Sequence, residues 1–304
     1  MNMDLMKPLA LLSAGPVGEG MASIVQWLLR NADPLFQLIN VVVNGLAGTL
    51  EALLALPSAW LLTLLISLLA AWRVNFTFAV FSLLGLNLVL YMGLWQPMIS
   101  TLGLVLAASV LALLIGIPIG IISARRTSLW MVTRPVLDLM QTMPAFVYLI
   151  PAVMFFSTGR VPSTIATLIF SMPPVVRLTH LGIRQVPGDL IEAGRAFGCT
   201  DNQLLWKVQL PNALPTLMAG VNQTIMLALS MVVISSMIGG GGLGDVVLRG
   251  IQQLDVGIGF EGGLAVVILA VILDRLTQSL AGNQPKNGSL NQRLRELRNL
   301  WRAA

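Results

Sequence analysis

From Met98 to Ile122 the chain carries no charged side chain. That run constrains the fold more than any other feature, because about 20 mainly apolar residues carry a helix across the hydrocarbon of a bilayer. In lipid every backbone N–H and C=O needs an internal partner, and a helix supplies one. Similar runs recur along the sequence. Only 10% of residues are charged, against about 25% in a soluble domain. The expected fold is an all-α integral membrane protein with about seven transmembrane helices and an amphipathic N-terminal helix.

The expected spans are Pro57–Trp72, Phe76–Leu94, Met98–Ile122, Val136–Phe156, Pro162–Thr179, Leu214–Ile238 and Gly262–Leu273. The last extends to Leu280 if Asp274 and Arg275 reach the interface. Pro144 and Pro151 predict a kink in the fourth span, and Pro173-Pro174 a break in the fifth. Leu35–Leu56 is apolar but interrupted by Gln37, Asn40, Asn44 and Glu51, which reads as a helix lying in the interface, with a full span as the alternative.

With seven spans, the Arg73 turn, the Arg125-Arg126 turn, the Arg177–Lys207 segment and the C-terminal tail share one side. The other side keeps only Lys7, Arg30, Arg160 and Arg249. Lysine and arginine accumulate on the cytoplasmic side, so the N-terminus is expected outside and the C-terminus inside. The net charge of +5 then lies largely in the tail, where Lys286, Arg293, Arg295, Arg298 and Arg302 face anionic membrane lipid and no nucleic acid is implied. Trp60, Trp72, Trp95 and Trp130 sit near span ends as interfacial anchors. The N-terminal run Leu9–Ala14 is short for a signal-peptide core and is expected to be retained. The lone Cys199 excludes a disulfide within the chain, and with the lone His180, read as a loop-edge residue, it falls short of a zinc ligand set; no metal site is expected.

Residues 1–56 are therefore taken as an N-terminal segment, 57–94 as two peripheral spans, 95–281 as a core with a cytoplasmic loop over 182–212, and 282–304 as a basic tail. The loop is the most informative segment. Asp189 with Glu192 fits an N-cap followed by an acidic third residue, and Thr200 with Gln203 repeats the pattern. Gly198 suits a helix C-terminus and Pro211 the close of a second short helix. Ile191, Phe197, Leu204, Leu205 and Trp206 are apolar in a stretch too charged for lipid, so they face another protein or pack beneath their own bundle.

Glu192-Ala193-Gly194, then Gly198, Val208 and Pro211, resembles the EAA loop of bacterial ABC importer permeases. Gly194 departs from the family's second alanine and should loosen the first helix by up to about 1 kcal/mol. Arg184-Gln185-Val186-Pro187, Lys207–Pro211, Gly220–Met226 and Ala228–Gly244 are similar to the glycine betaine/proline betaine (ProW-like) permeases. The likeness covers about residues 135–280. It implies a loop, including Asp189, Arg195 and Phe197, that docks on a separate ATPase. The implied partners are a second copy of the permease, two ATP-binding subunits and an extracytoplasmic solute-binding protein. ATP and magnesium belong to the partner: this chain has no GxxxxGK[ST] phosphate loop and is not expected to be an enzyme.

Gly239-Gly240-Gly241-Gly242-Leu243-Gly244 reads as close-packed backbone, and the resemblance implies that Gly239 to Gly242 and Gly244 shape the outer mouth. Asn222, Gln223, Thr224 and Ser230 of the sixth span, with Gln141, Thr142 and Tyr148 of the fourth, either bond between helices or line a solute path. Asp138 and Asp274 are read as interface residues beside Arg134 and Arg275. A secondary transporter working alone would need ionisable groups near the midplane, where the spans here are almost free of them. A membrane enzyme would need a nucleophile–base or metal constellation, which the sequence lacks. Glycine betaine is the substrate the resemblance implies, with choline, carnitine or an amino acid as alternatives.

Overall fold

The computed structural model describes residues 16–280, and the basic tail and Lys7 lie outside them. Among the described residues every regular element is a helix. They are α1 (Pro16–Asn31), α2 (Asp33–Ala55), α3 (Ala59–Arg73), α4 (Phe76–Tyr91), α5 (Trp95–Arg125), α6 (Thr127–Thr142), α7 (Ala145–Phe156), α8 (Arg160–Arg184), α9 (Gly188–Ala196), α10 (Asp201–Leu204), α11 (Leu210–Ser230), α12 (Val232–Ser236), α13 (Gly242–Gln253) and α14 (Val256–Leu280).

Three helices form the centre. α5 and α8 run side by side in the same direction: a Cβ on Gly116 would lie 2.5 Å from the Val175 side chain, and one on Gly120 2.6 Å from that of Thr179. The missing side chains are what allow the two backbones to approach so closely. α11 returns antiparallel, with Gly182 against Ala213 and Thr216 and Gly220 against Val175 and Leu178. α14 then runs back beside α11, joined to it where Asn222 meets Asp274. One end of the bundle therefore gathers Arg125, Arg184 and the start of α11 and is called here the loop end. The opposite end holds Trp95, Arg160 and the residues after Ser230, and is called the glycine end. Leu86, Val105, Leu229, Leu243 and Leu269 are buried where α4, α5, α11, α13 and α14 meet.

α3 and α4 form a hairpin at the edge. Ser58 caps the first through the Leu61 N–H (3.3 Å), and Asn75 caps the second through the Phe78 N–H (2.7 Å). At 15 and 16 residues these helices are about 22–24 Å long, short of the usual hydrocarbon thickness. By length and composition five helices are able to cross a membrane, and six if α6 and α7 are one broken span. The seven expected spans are thus five long helices or broken spans in the core and two short helices at its edge, and α2 passes the same length test.

Several expectations are corrected. The bend expected at Pro144 is a full break: α6 and α7 meet at 97° where Met143 is extended (ψ 134°), the conformation that a following proline favours, whereas α7 runs on through Pro151. The fifth span is not broken at Pro173-Pro174; α8 runs unbroken through both. Proline φ is helical, and the packing of α5 and α11 around α8 holds it continuous. The sixth span ends at Ser230, one break before α12. α14 starts earlier than expected, at Val256, and takes the longer of the two expected ends, past Asp274-Arg275 to Leu280. Trp130 stacks on His180 with ring centroids 3.8 Å apart, so it is not a free anchor, and His180 lies within α8 rather than at a loop edge. Asp138 pairs with Arg177 at 2.5 Å rather than with Arg134.

Candidate functional site

The loop after α8 is built as two helical pieces crossing at a glycine. α9 begins at Gly188 after Pro187, so Asp189 lies in its first turn and does not cap it. Asp189 and Glu192 near the N-terminus and Arg195 in the last turn suit the helix dipole. The helix ends where Gly198 takes φ +77°, with Cys199 N–H donating to the Gly194 carbonyl at 3.0 Å, a closure that needs a left-handed residue. The second piece carries the expected capping box: Thr200 Oγ1 accepts from the Gln203 N–H (3.3 Å) and Gln203 Oε1 from the Thr200 N–H (2.9 Å).

Pro211 does not close that helix. α10 passes through a wide π-helical turn, Leu205–Gln209, directly into α11, where Pro211 sits in the first turn. Leu210 N–H bonds to the Leu205 carbonyl, and Pro211, which has no N–H to give, follows directly after this wide turn in the continuous helix.

Gly194 is buried, and a Cβ there would stand 2.7 Å from Leu204 Cδ1. The glycine therefore seats the first helix on the second. Leu204 and Leu205 turn inward, the latter packing with Ala124, Ile183 and Ala213. Phe197 (89% exposed) and Trp206 (67%) stand out from the loop, with Leu190 partly exposed beside them. Glu192, Ala193 and Arg195 are exposed, Pro211 likewise, and Val208 is half-buried. Arg125 at the end of α5 donates to the Asp201 carbonyl (3.1 Å) and Asn202 Oδ1 (3.0 Å). An arginine on another helix thus fixes the loop to the bundle, and residue order gave no sign of that pairing.

The polar residues of α11 divide by face. Gln223 and Ser230 are exposed, in line with Ala219 and Met226. Gln223 borders a cavity of about 480 Å³ shared with Leu178, Pro215, Met218, Asn222 and Gln278. Asn222 is taken up between helices: its Nδ2 donates to Asp274 Oδ1 (3.0 Å), and Thr277 Oγ1 donates to its Oδ1 (2.5 Å). Asp274 also accepts from Gln278 (2.7 Å), so its partners are amides and not its neighbour Arg275. Thr224 is fully buried and its hydroxyl has no partner among the described residues. Tyr148 is buried with its hydroxyl 4.0 Å from Met231 Sδ. Gln141 is half-buried and Thr142 exposed at the bend between α6 and α7. The structure therefore does not bring these candidates to one surface.

At the glycine end the chain turns through Gly239 (φ +90°), Gly240, Gly241 (φ +69°) and Gly242 (φ +70°). Side chains there would strike backbone: one on Gly240 would come 2.8 Å from the Ser235 carbonyl, and one on Gly244 would run into the Val232 carbonyl. Three polar contacts pin the turn. Leu243 N–H donates to buried Thr101 Oγ1 (2.8 Å), Ser163 Oγ to the Ser235 carbonyl (3.0 Å), and Gly159 N–H to the Ile238 carbonyl (2.8 Å). Sequence reasoning missed Thr101 and Ser163, whose only signal was a hydroxyl inside an apolar stretch.

The chain matches the model of the family described as binding-protein-dependent transport system inner membrane component over residues 116–282. It is 46% identical to the glycine betaine transport system permease protein OpuAB of Bacillus subtilis, over 90% of this chain and 97% of that one. It is 47% identical to the glycine betaine/proline betaine permease protein ProW of Escherichia coli, over 90% and 77%. Against the glycine betaine/carnitine permease protein GbuB of Listeria monocytogenes it is 48% identical, over 84% and 94%. The fold is similar to a chain of the inward-facing MetNI methionine ABC transporter, with TM-score 0.56 at 21% identity, covering 60% of this chain and 91% of that one.

Proposed function

Because the chain belongs to the family of binding-protein-dependent transport system inner membrane components, we propose that it is the permease of an ATP-driven importer for a quaternary-ammonium solute of the glycine betaine class. It works as a pair with two ATP-binding subunits and an external solute-binding protein. The loop end faces the cytoplasm and the glycine end faces outward. Arg73 of the α3–α4 turn, Arg125 of α5, Arg177 and Arg184 of α8 and Arg195 of the loop gather at the loop end, against Arg160 at the glycine end, which supports this orientation. Residues 95–281 are the working core, 57–94 a peripheral hairpin, and 282–304 a tail on anionic lipid.

One observation carries the reading. Residues 188–209 are held rigidly by Arg125, the capping box and buried Leu204 and Leu205, yet they present Phe197 and Trp206 to solvent. A stiff element with unpartnered aromatic side chains suits the transmission of motion to another protein. Phe197 and its exposed neighbours Asp189, Glu192, Ala193, Arg195 and Gly198 dock on the ATPase, buried Gly194 seats the helix that carries them, and Val208 and Pro211 join the loop to α11. Gln223 and Ser230 line the solute path together with the exposed face of α11, and the turn Gly239 to Gly244 forms the outer mouth. Asn222, Thr224 and Tyr148 support the path from behind. The test is uptake of labelled glycine betaine into vesicles containing permease, ATPase and binding protein, compared with Phe197→Ala/Trp206→Ala. The expected result is uptake lost together with ATPase association, with the permease still inserted. Normal uptake by the double variant would overturn the docking assignment.

A further inference from the structure

α2 has three distinct faces. At about 100° per residue, Asp33, Gln37, Asn40 and Asn44 form one exposed polar stripe. Leu35, Leu38, Val42 and Leu53, all at least half exposed, lie about 170° away on the helix wheel. Between them, on one flank, Val43 and Ala47 are buried against the bundle. If α2 crossed the bilayer, three amide side chains would face hydrocarbon, which is expensive. If it lies flat, the stripe faces water and the opposite face meets lipid, as in an interfacial helix. The contacts agree with the flat placement. Near its start Phe36 stacks on Phe155 (4.5 Å) and meets Phe156 edge-on (5.7 Å), and near its end Glu51 pairs with Arg160. Both ends therefore touch the single 155–160 segment at the glycine end.

That segment is strained and joined to the mouth. Ser157 holds φ +61° and Gly159 φ +142°, an unusual conformation for a serine. Gly159 N–H donates to the Ile238 carbonyl, and a Cβ on Gly239 would lie 3.0 Å from the Gly159 nitrogen. A line of direct contacts thus runs from α2 through Arg160 and Gly159 to Gly239.

We propose that α2 is an in-plane helix bound to the outer-leaflet lipid surface through Leu35, Leu38, Val42 and Leu53, and that the Glu51–Arg160 ion pair uses it to hold the glycine turn of the outer mouth closed. The lipid is recognised by apolar burial and needs no particular headgroup. The proposal rests on the outward assignment of the glycine end, but its tests need neither ATP nor solute.

The permease assembled with its partners is reconstituted in sealed vesicles of phosphatidylcholine with brominated acyl chains. Bimane is attached at Leu38→Cys or at Asn40→Cys, with protein carrying only Cys199 as the blank. Quenching is expected at position 38 and not at 40. Equal quenching at both, or a spontaneous disulfide between two copies at position 38, overturns the lipid contact. In the second experiment an impermeant maleimide is added outside to protein carrying Ser230→Cys, below the turn. Glu51→Gln is expected to raise the labelling rate about threefold, in keeping with a half-exposed ion pair. The charge exchange Glu51→Arg/Arg160→Glu is expected to return it to the starting value. An unchanged rate in Glu51→Gln overturns the clamp, as does a rate that the exchange fails to restore, since a purely structural loss would not be reversed by swapping the charges. These labelling readouts separate failure here from failure of the importer reading, which uptake alone decides.

Discussion

Thr101→Val isolates one contact on which the glycine turn depends. α13 starts after Gly241, which has no side chain to cap it, so the first N–H groups of that helix have no partner within it. Thr101 on α5 supplies the missing acceptor to the Leu243 N–H from 142 residues away in sequence. Both Thr101 (3% exposed) and Leu243 (0%) are buried, so water does not replace the lost hydroxyl. Leaving a buried N–H unpaired costs about 1–3 kcal/mol. The added methyl also replaces an oxygen that already occupies the space of a Gly242 side chain, so the upper part of that range applies. A loss of about 2 kcal/mol is about a 30-fold increase in local opening. The assay is hydrogen exchange of the Gly240–Asp245 amides in detergent-solubilised permease. Thr101→Ser keeps the acceptor and should lose no more than about 1 kcal/mol, from one buried methyl. Protection of Leu243 within twofold of the parent in Thr101→Val, or equal effects of Ser and Val, would refute the capping argument.

Three further outcomes follow from the same kind of reasoning. Gly198→Val places a β-branched residue at φ +77° in open space, so the cost of about 1–2 kcal/mol comes from backbone strain alone; solute-stimulated ATP hydrolysis should fall while membrane insertion, followed by proteolysis of intact vesicles, stays normal. Gly194→Ala gains about 1 kcal/mol of helix propensity and loses a similar amount against the flexible tip of Leu204, so thermal unfolding should move by no more than about 4 °C; a larger fall would mean that the crossing cannot yield. Asn222→Leu leaves Asp274 with Gln278 as its remaining side-chain donor and should destabilise the α11–α14 contact by about 1–3 kcal/mol, read as a lower unfolding temperature that Asn222→Gln restores only in part.

The sequence made the helical class, the long apolar core and the capping box at Thr200 legible because each depends on neighbours within a few residues. Gly198 was legible for the same reason, since a helix end needs positive φ at one position. The readings that failed depend on packing. Pro144 ends a helix while Pro173 and Pro174 do not, although all three lie in apolar runs; only the surrounding α5 and α11 distinguish them. Leu204 and Leu205 are as apolar as Phe197 and Trp206, yet one pair is buried and the other exposed, because Leu204 meets Gly194 and Leu205 meets Ala124, Ile183 and Ala213, contacts that lie far away in sequence or across the turn. Asn222 and Gln223 are adjacent amides, one spent on Asp274 and the other facing a cavity, and no composition rule separates them.

The two ends of the bundle are fixed in different proportions by side-chain hydrogen bonds and by close backbone packing. At the loop end the fixing contacts are side-chain hydrogen bonds, such as that from Arg125 to Asn202, formed where water competes and each contributes about 1–3 kcal/mol. Such contacts break and re-form singly. At the glycine end the backbone itself is packed, with Gly240 against the Ser235 carbonyl and Gly244 against that of Val232, so no local adjustment is available without displacing a neighbouring chain segment. If the loop end is driven as proposed above, a small rotation of α11 is absorbed little at the glycine end. It moves that turn as a unit, together with the Gly159 segment hydrogen-bonded to it. The glycines make the turn stiff by letting backbones touch; a looser turn with side chains would dissipate the same displacement within itself.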